Sequence, residues 1–190
     1  GKTGSGKTHL LHHLKKNGHQ TLDLEALAHH KGSAFGHIGE SPQPGNEMME
    51  NQMAEELLKM DMQQPIWIED ESKNIGTVFI NHSFFQQMTT APLYILDIPF
   101  AQRSAHLLQI YGELPAPALL DSLQRISRRL GPERLAQARE AIIQGNILQA
   151  IEIVLAYYDR MYAYQLSLKK NSSIKNCTAS HWREAANHLS

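Results

Sequence analysis

The first eight residues, Gly1-Lys2-Thr3-Gly4-Ser5-Gly6-Lys7-Thr8, have the spacing G-x-x-x-x-G-K-S/T of a phosphate-binding loop. Glycines at these positions let the backbone curl until successive N–H groups point inward at phosphate oxygens. Gly1, Gly4, Ser5 and Gly6 would form that cradle. Lys7 would reach the terminal phosphates as a point charge, and the Thr8 hydroxyl would ligate Mg²⁺. Such a site needs a carboxylate at the end of a neighbouring strand, to hold the hydrated metal or to orient a nucleophile. Two strand ends offer one: Asp23 with Glu25, and Glu69 with Asp70 and Glu71. The second group follows the most apolar strand and is favoured, with Asp70 as the expected second metal ligand beside Thr8.

Elements must position these groups. Thr8 to Asn17 reads as a helix, with Leu10, Leu11 and Leu14 on one apolar stripe and Gly18 beyond its end. A phosphate in the loop would then sit on a helix N-terminus. Residues 20–25 read as a short strand ending in acids, and 65–68 and 93–98 as further strands. Strand and helix alternate to about residue 112, the pattern of a parallel sheet flanked by helices. After Pro115 the apolar spacing is helical over 118–130, 133–144 and 147–168; 171–177 is a weak strand or loop, and 181–189 a closing helix. The expected class is α/β, with a P-loop domain over 1–112 and an all-helical C-terminal extension over 113–190. The strand that should lead into the loop is missing from the sequence, as in a fragment cut at that point.

Residues 32–46 form a long Gly-, Ser- and Pro-rich loop, a length more often functional than idle. His30 and Lys31 open it, and a substrate would enter there. Arg125, Arg128 and Arg129 fall at i, i+3 and i+4 on one helix, and could be a solvated face, a phosphate lid or a track along RNA. The chain has 190 residues, 42% hydrophobic and 19% charged, with a formal net charge of −1. That balance excludes disordered and collagen-like classes and does not by itself demand nucleic acid. No apolar run is long enough for a membrane span. The single cysteine, Cys177, fits a reducing compartment, so a cytoplasmic protein without a membrane partner is expected. Eleven histidines lack any Cys/His ligand spacing, which argues against zinc.

Several strings resemble one family. Leu22-Asp23-Leu24-Glu25, then His30-Lys31-Gly32-Ser33-Ala34-Phe35-Gly36, is similar to the block after the P-loop of bacterial tRNA 2-selenouridine synthases. Trp67-Ile68-Glu69-Asp70-Glu71-Ser72, Pro99-Phe100 with Arg103, Arg128-Arg129-Leu130-Gly131 and Tyr157-Tyr158-Asp159 continue the likeness in order to about residue 170, with the tail matching poorly. The resemblance implies an upstream rhodanese-like domain, absent from this chain, whose catalytic cysteine Cys177 does not replace. It also implies action on wobble 2-thiouridine in tRNA, with geranyl diphosphate and selenophosphate as co-substrates. Lys7, Asp23, Glu69 and Asp70 would then be catalytic. His30, Lys31, Ser33 and Arg103 would line the substrate side, and Arg125, Arg128 and Arg129 would meet tRNA. On the phosphate motif alone, a small-metabolite kinase or a nucleotide switch would serve as well.

Overall fold

The computed structural model describes residues 1–169 and 173–186. Helix α1 (Lys7–Lys16) follows the loop directly and buries Leu10, Leu11 and Leu14. Strand β1 (Gln20–Leu22) ends at Asp23, which caps the short helix α2 (Leu24–Leu27) by accepting from the Ala26 N–H. The loop that follows runs to α3 (Asn46–Leu58), which buries Met49 and Met53 as core rather than as a ligand set. These pieces form the crossover that parallel pairing requires. Strand β2 (Ile66–Ile68) lies parallel to β1, with Gln20 opposite Ile66 and Leu22 opposite Ile68.

A small antiparallel hairpin, β3 (Asn74–Ile75) and β4 (Val78–Phe79), comes next. Gln43 ties it to the long loop, donating to the Ala28 and Ile75 carbonyls and accepting from the Thr77 N–H. Helix α4 (His82–Thr90) leads to β5 (Leu93–Asp97), and α5 (Phe100–Tyr111) leaves its carboxyl end. The helical run is α6 (Ala116–Arg125), α7 (Ser127–Leu130), α8 (Pro132–Ile143) and α9 (Ile147–Ser167). Leu119, Leu123, Ile126 and Leu130 pack with Ala138, Ala141, Ile142 and Val154 as its core.

Two expectations change here. The helix read over 118–130 breaks at Ile126, whose backbone leaves the helical region (φ −102°, ψ 6°) and forms tight i to i+3 turns with Leu123 and Arg129. Arg125 therefore lies on α6, while Arg128 and Arg129 lie on α7. The helical extension is also closed by a strand: β6 (Ile174–Thr178) returns to pair in parallel with β5, Leu93 opposite Ile174 and Asp97 opposite Thr178. Helix α10 (Trp182–Ala186) then packs on α1. The tail read as a helix over 181–189 lies outside the described residues beyond 186. Among the described residues, no helix is long and apolar enough to cross a membrane.

Candidate functional site

The loop over Gly1–Gly6 is held in shape by contacts that only glycine allows. Gly6 has φ +80°, and a Cβ there would stand 2.7 Å from Cδ1 of Trp182, so the α10 indole is set directly on the loop. The Ser5 N–H donates to the Lys2 carbonyl at 3.2 Å, and the Ser5 side chain is buried. Helix α1 begins immediately after, so the amides of its first turn have no partner within the helix and face the loop with the positive end of the dipole.

Thr8 is the meeting point of the acids. Its hydroxyl lies 2.9 Å from Glu69 Oε1 and 3.2 Å from Glu25 Oε2, sharing one proton between them. Glu69 is 4% exposed, and its Oε2 has no hydrogen-bond partner among the described residues. Gly32 (φ +63°) comes against the same group: a Cβ there would stand 2.6 Å from Glu25 Oε1 and 2.7 Å from Glu71 Oε2. The long loop thus closes over the carboxylates. Burial raises the Glu25 carboxyl above its ordinary range, helped by the charges of Glu69 and Glu71 and opposed by Lys7 and the Thr8 hydrogen bond. Burial also raises Glu69, with Asp23 adding and Thr8 and Lys7 opposing.

A pH dependence of stability follows from these shifts. Both carboxyls hold protons more tightly in the folded domain than in the unfolded chain. Their contribution is therefore greatest at or below the ordinary carboxylate range, about pH 4 to 5, and is lost as the pH rises toward their raised values. Thermal melts of Glu25→Gln should show a flatter decline above about pH 5 than the parent chain. An unchanged slope would show that Glu25 does not carry this proton.

The structure sorts the other sequence candidates. Asp23 does not reach Thr8: it caps α2 and pairs with His12 at 2.8 Å. Asp70 is turned to Lys169, at the end of α9, in a close ion pair. Glu25, grouped with Asp23 on sequence but not selected, is the acid that arrives. Its signal was the pattern Asp-Leu-Glu-Ala, in which the aspartate suits an N-cap and the glutamate falls in the first turn.

His30 is buried beneath the Lys31–Gly36 turn, and burial together with His37 and Arg125 pushes its pKa down. Lys31 faces outward and pairs with Glu40 at 2.7 Å. Ser33 lies near the loop, among the residues that with Thr3, Phe35, Tyr111 and Tyr158 line a small apolar cavity. The Tyr158 hydroxyl accepts from the Ala34 N–H at 3.1 Å, tying this segment to α9.

Arg103 is 1% exposed and spends its donors inside the protein. Nε donates to the Ile98 carbonyl at 3.0 Å, Nη1 to the Thr3 carbonyl at 3.0 Å, and both terminal nitrogens to Asp159 at 2.8 and 2.6 Å. It braces the loop from behind rather than meeting a substrate. Arg125 is exposed and paired with Asp121 at 2.9 Å, and Arg128 and Arg129 are exposed. Burial raises the Cys177 thiol, opposite to what a nucleophilic cysteine requires.

Comparison with known proteins identifies the family. A family model described as the tRNA 2-selenouridine synthase AAA domain matches residues 1–190, so the match runs through the tail. The tRNA 2-selenouridine synthase of Aeromonas salmonicida (strain A449) is 34% identical over 201 residues, covering 90% of this chain and 53% of its own length. That of Nitrosomonas europaea is 32% identical, covering 90% of this chain and 56% of its own. That of Salmonella enteritidis PT4 is 32% identical, covering all of this chain and 58% of its own. The chain spans about half the length of the curated relatives it matches. No solved structure gives a significant match. With the loop, the acids and the full-length match in agreement, the chain belongs to the tRNA 2-selenouridine synthase AAA-domain family.

Proposed function

We propose that this chain is the phosphate-binding domain of a transferase that converts wobble 2-thiouridine in tRNA to 2-selenouridine through an S-geranyl intermediate. Geranyl diphosphate and selenophosphate are the co-substrates, and Gly1 and Gly4 to Thr8 bind their phosphates. The observation that carries this reading is the Thr8 hydroxyl held between Glu25 and Glu69 on the first turn of α1. In the first half-reaction the thiouridine sulfur bonds to C1 of the prenyl chain as the C1–O bond breaks, and the N3 proton of the base is released to solvent. The electron pair leaves with the diphosphate. Backbone N–H groups and Lys7 favour that step by stabilising charge that grows on the leaving group.

The residues present fit Mg²⁺. Thr8 and Glu69 would hold it, because Thr8 is a hard oxygen donor and Glu69 keeps an oxygen without a hydrogen-bond partner; Asp70, committed to Lys169, would not. The ion would neutralise phosphate charge and take the place of the proton now held by the raised carboxyls. The apolar cavity beside Thr3 suits the prenyl tail in kind. At about 50 Å³ it admits only part of the chain.

Arg128 and Arg129 are proposed to meet the tRNA backbone, and the relatives' additional length leaves room for a rhodanese-like domain that completes selenium exchange. Replacing both arginines with alanine should weaken tRNA binding and lower the slope of log K against log salt by roughly 1 to 2. An unmoved slope would make the pair a solvated face.

Equilibrium binding of geranyl diphosphate in the presence of Mg²⁺, with ATP as competitor, tests the whole reading. Tight binding that ATP displaces poorly is expected. A preference for ATP would instead favour a small-metabolite kinase.

A further inference from the structure

Helix α9 is tied to the phosphate loop through Asp159, which pairs with Arg103, whose Nη1 donates to the Thr3 carbonyl at 3.0 Å. Tyr162 lies three residues further along α9 and so on the same face. Its hydroxyl is buried and has no hydrogen-bond partner among the described residues. Burial pushes that hydroxyl up to about 12, with the charges of Asp70 and Asp97 adding, so it keeps its proton and stays a donor. A phenol O–H cut off from water and unpaired is costly to keep. Lys169 follows just past the helix end, where its N–H donates to the Leu166 carbonyl at 3.2 Å and its ammonium pairs with Asp70. Both side chains of that pair are at most 20% exposed. Asp70 takes one of the three N–H donors of the ammonium and leaves the others for a ligand. The charges of Lys7, Asp70 and Lys169 all act on the backbone nitrogen of Gly1, so both lysines stand within electrostatic reach of the loop.

We propose that Lys169 and Tyr162 bind the second phosphoryl group of a diphosphate whose first is held by the loop and Lys7, which makes the end of α9 the element that selects diphosphates over monophosphates. The inference rests on the reading of the loop as a diphosphate site. A phosphoryl oxygen would give the buried Tyr162 hydroxyl the acceptor it lacks, and the Lys169 ammonium would add charge-assisted bonds from the same side. Asp70 is then a positioning residue, fixing one N–H of Lys169 so that the others are aimed before the ligand arrives. A ligand with a single phosphoryl group is satisfied by the loop and Lys7 and gains little from α9. The two co-substrates would therefore part here: geranyl diphosphate engages α9, and selenophosphate does not.

The test measures binding of inorganic diphosphate and of inorganic phosphate, with Mg²⁺ present, by the parent chain and by Lys169→Met, Lys169→Arg, Asp70→Asn and Tyr162→Phe. Lys169→Met is expected to weaken diphosphate binding by about 10-fold or more and phosphate binding by less than about 3-fold. Tyr162→Phe removes one oxygen and should show the same selectivity at roughly 3- to 10-fold; it decides the matter if Lys169→Met fails to fold. Lys169→Arg keeps the cation and should keep most of the diphosphate affinity. Asp70→Asn breaks the same ion pair but leaves the ammonium in place. A mere clamp between α9 and β2 would make it fall as far as Lys169→Met, whereas a phosphate contact implies a clearly smaller loss. Equal losses in those two variants, equal loss of both anions, or no loss in Lys169→Met and Tyr162→Phe overturns the proposal and leaves the loop reading standing. A parent chain that binds neither anion overturns the loop reading, and this inference with it.

Discussion

Replacing Asp159 by asparagine is expected to lower the melting temperature of the domain by on the order of 10 °C. The carboxylate is the only anion holding Arg103 among the described ion pairs, and the Arg103 side chain is 2% exposed. Removing one partner of such a pair leaves a charge in a medium that solvates it poorly, at a cost of about 3–5 kcal/mol. A domain of this size loses roughly 2–4 °C for each kcal/mol. Arg103 keeps its bonds to the Ile98 and Thr3 carbonyls, which places the effect toward the lower end of that range. A double replacement, Arg103→Met with Asp159→Leu, should recover most of the lost stability, since no uncompensated charge remains. It should not recover phosphate binding, because the Thr3 carbonyl would lose its brace. A shift below about 2 °C for Asp159→Asn would mean that water supports Arg103 as well as the carboxylate does.

Replacing Lys7 by alanine is expected to weaken binding of a diphosphate compound by about 10- to 150-fold, the equivalent of the roughly 1.5–3 kcal/mol that a hydrogen bond to a charged group contributes. The fold should survive, since Lys7 is only half-buried and is not part of a core cluster. One side effect separates this variant from a general loss of structure. Lys7 holds down both Glu25 and Glu69, so its removal should push their carboxyls further up and steepen the decline of stability with pH. Titration calorimetry with inorganic diphosphate reads the first effect and melting curves read the second. Unchanged affinity would remove the loop from the phosphate site.

The parts of this architecture that rest on local chemistry were legible in the amino-acid sequence. The glycine spacing, the apolar stripe of α1 and the strand at 66–68 each follow from contacts between near neighbours. The partners of charged groups were not legible, because they depend on distant segments. Asp70 carries no local sign that Lys169 would claim it, and Arg103 looks like any surface arginine until α9 brings Asp159 beside it. Asp23 shows a nearer failure: two local roles compete for one carboxylate, and the helix cap took a residue that strand-end reasoning offered as a catalytic acid beside the loop. The break at Ile126 was equally hidden, since Leu123, Ile126 and Leu130 keep a helical spacing across it.

The return of β6 to β5 also orders events in time. Leu93 pairs with Ile174, so some eighty residues of helix-rich chain must be made before that edge is covered. During synthesis the ribosome releases β5 long before β6, and Leu93, Ile95 and Leu96 remain without their native partners in the interval. Pairings this distant slow folding and expose the nascent chain to association. The helices between the two strands bury local contacts and can fold first, bringing the end of α9 back toward the sheet. A ribosome stalled before residue 174 would therefore carry a folded helical cluster beside an open strand, a state in which a chaperone has its clearest target.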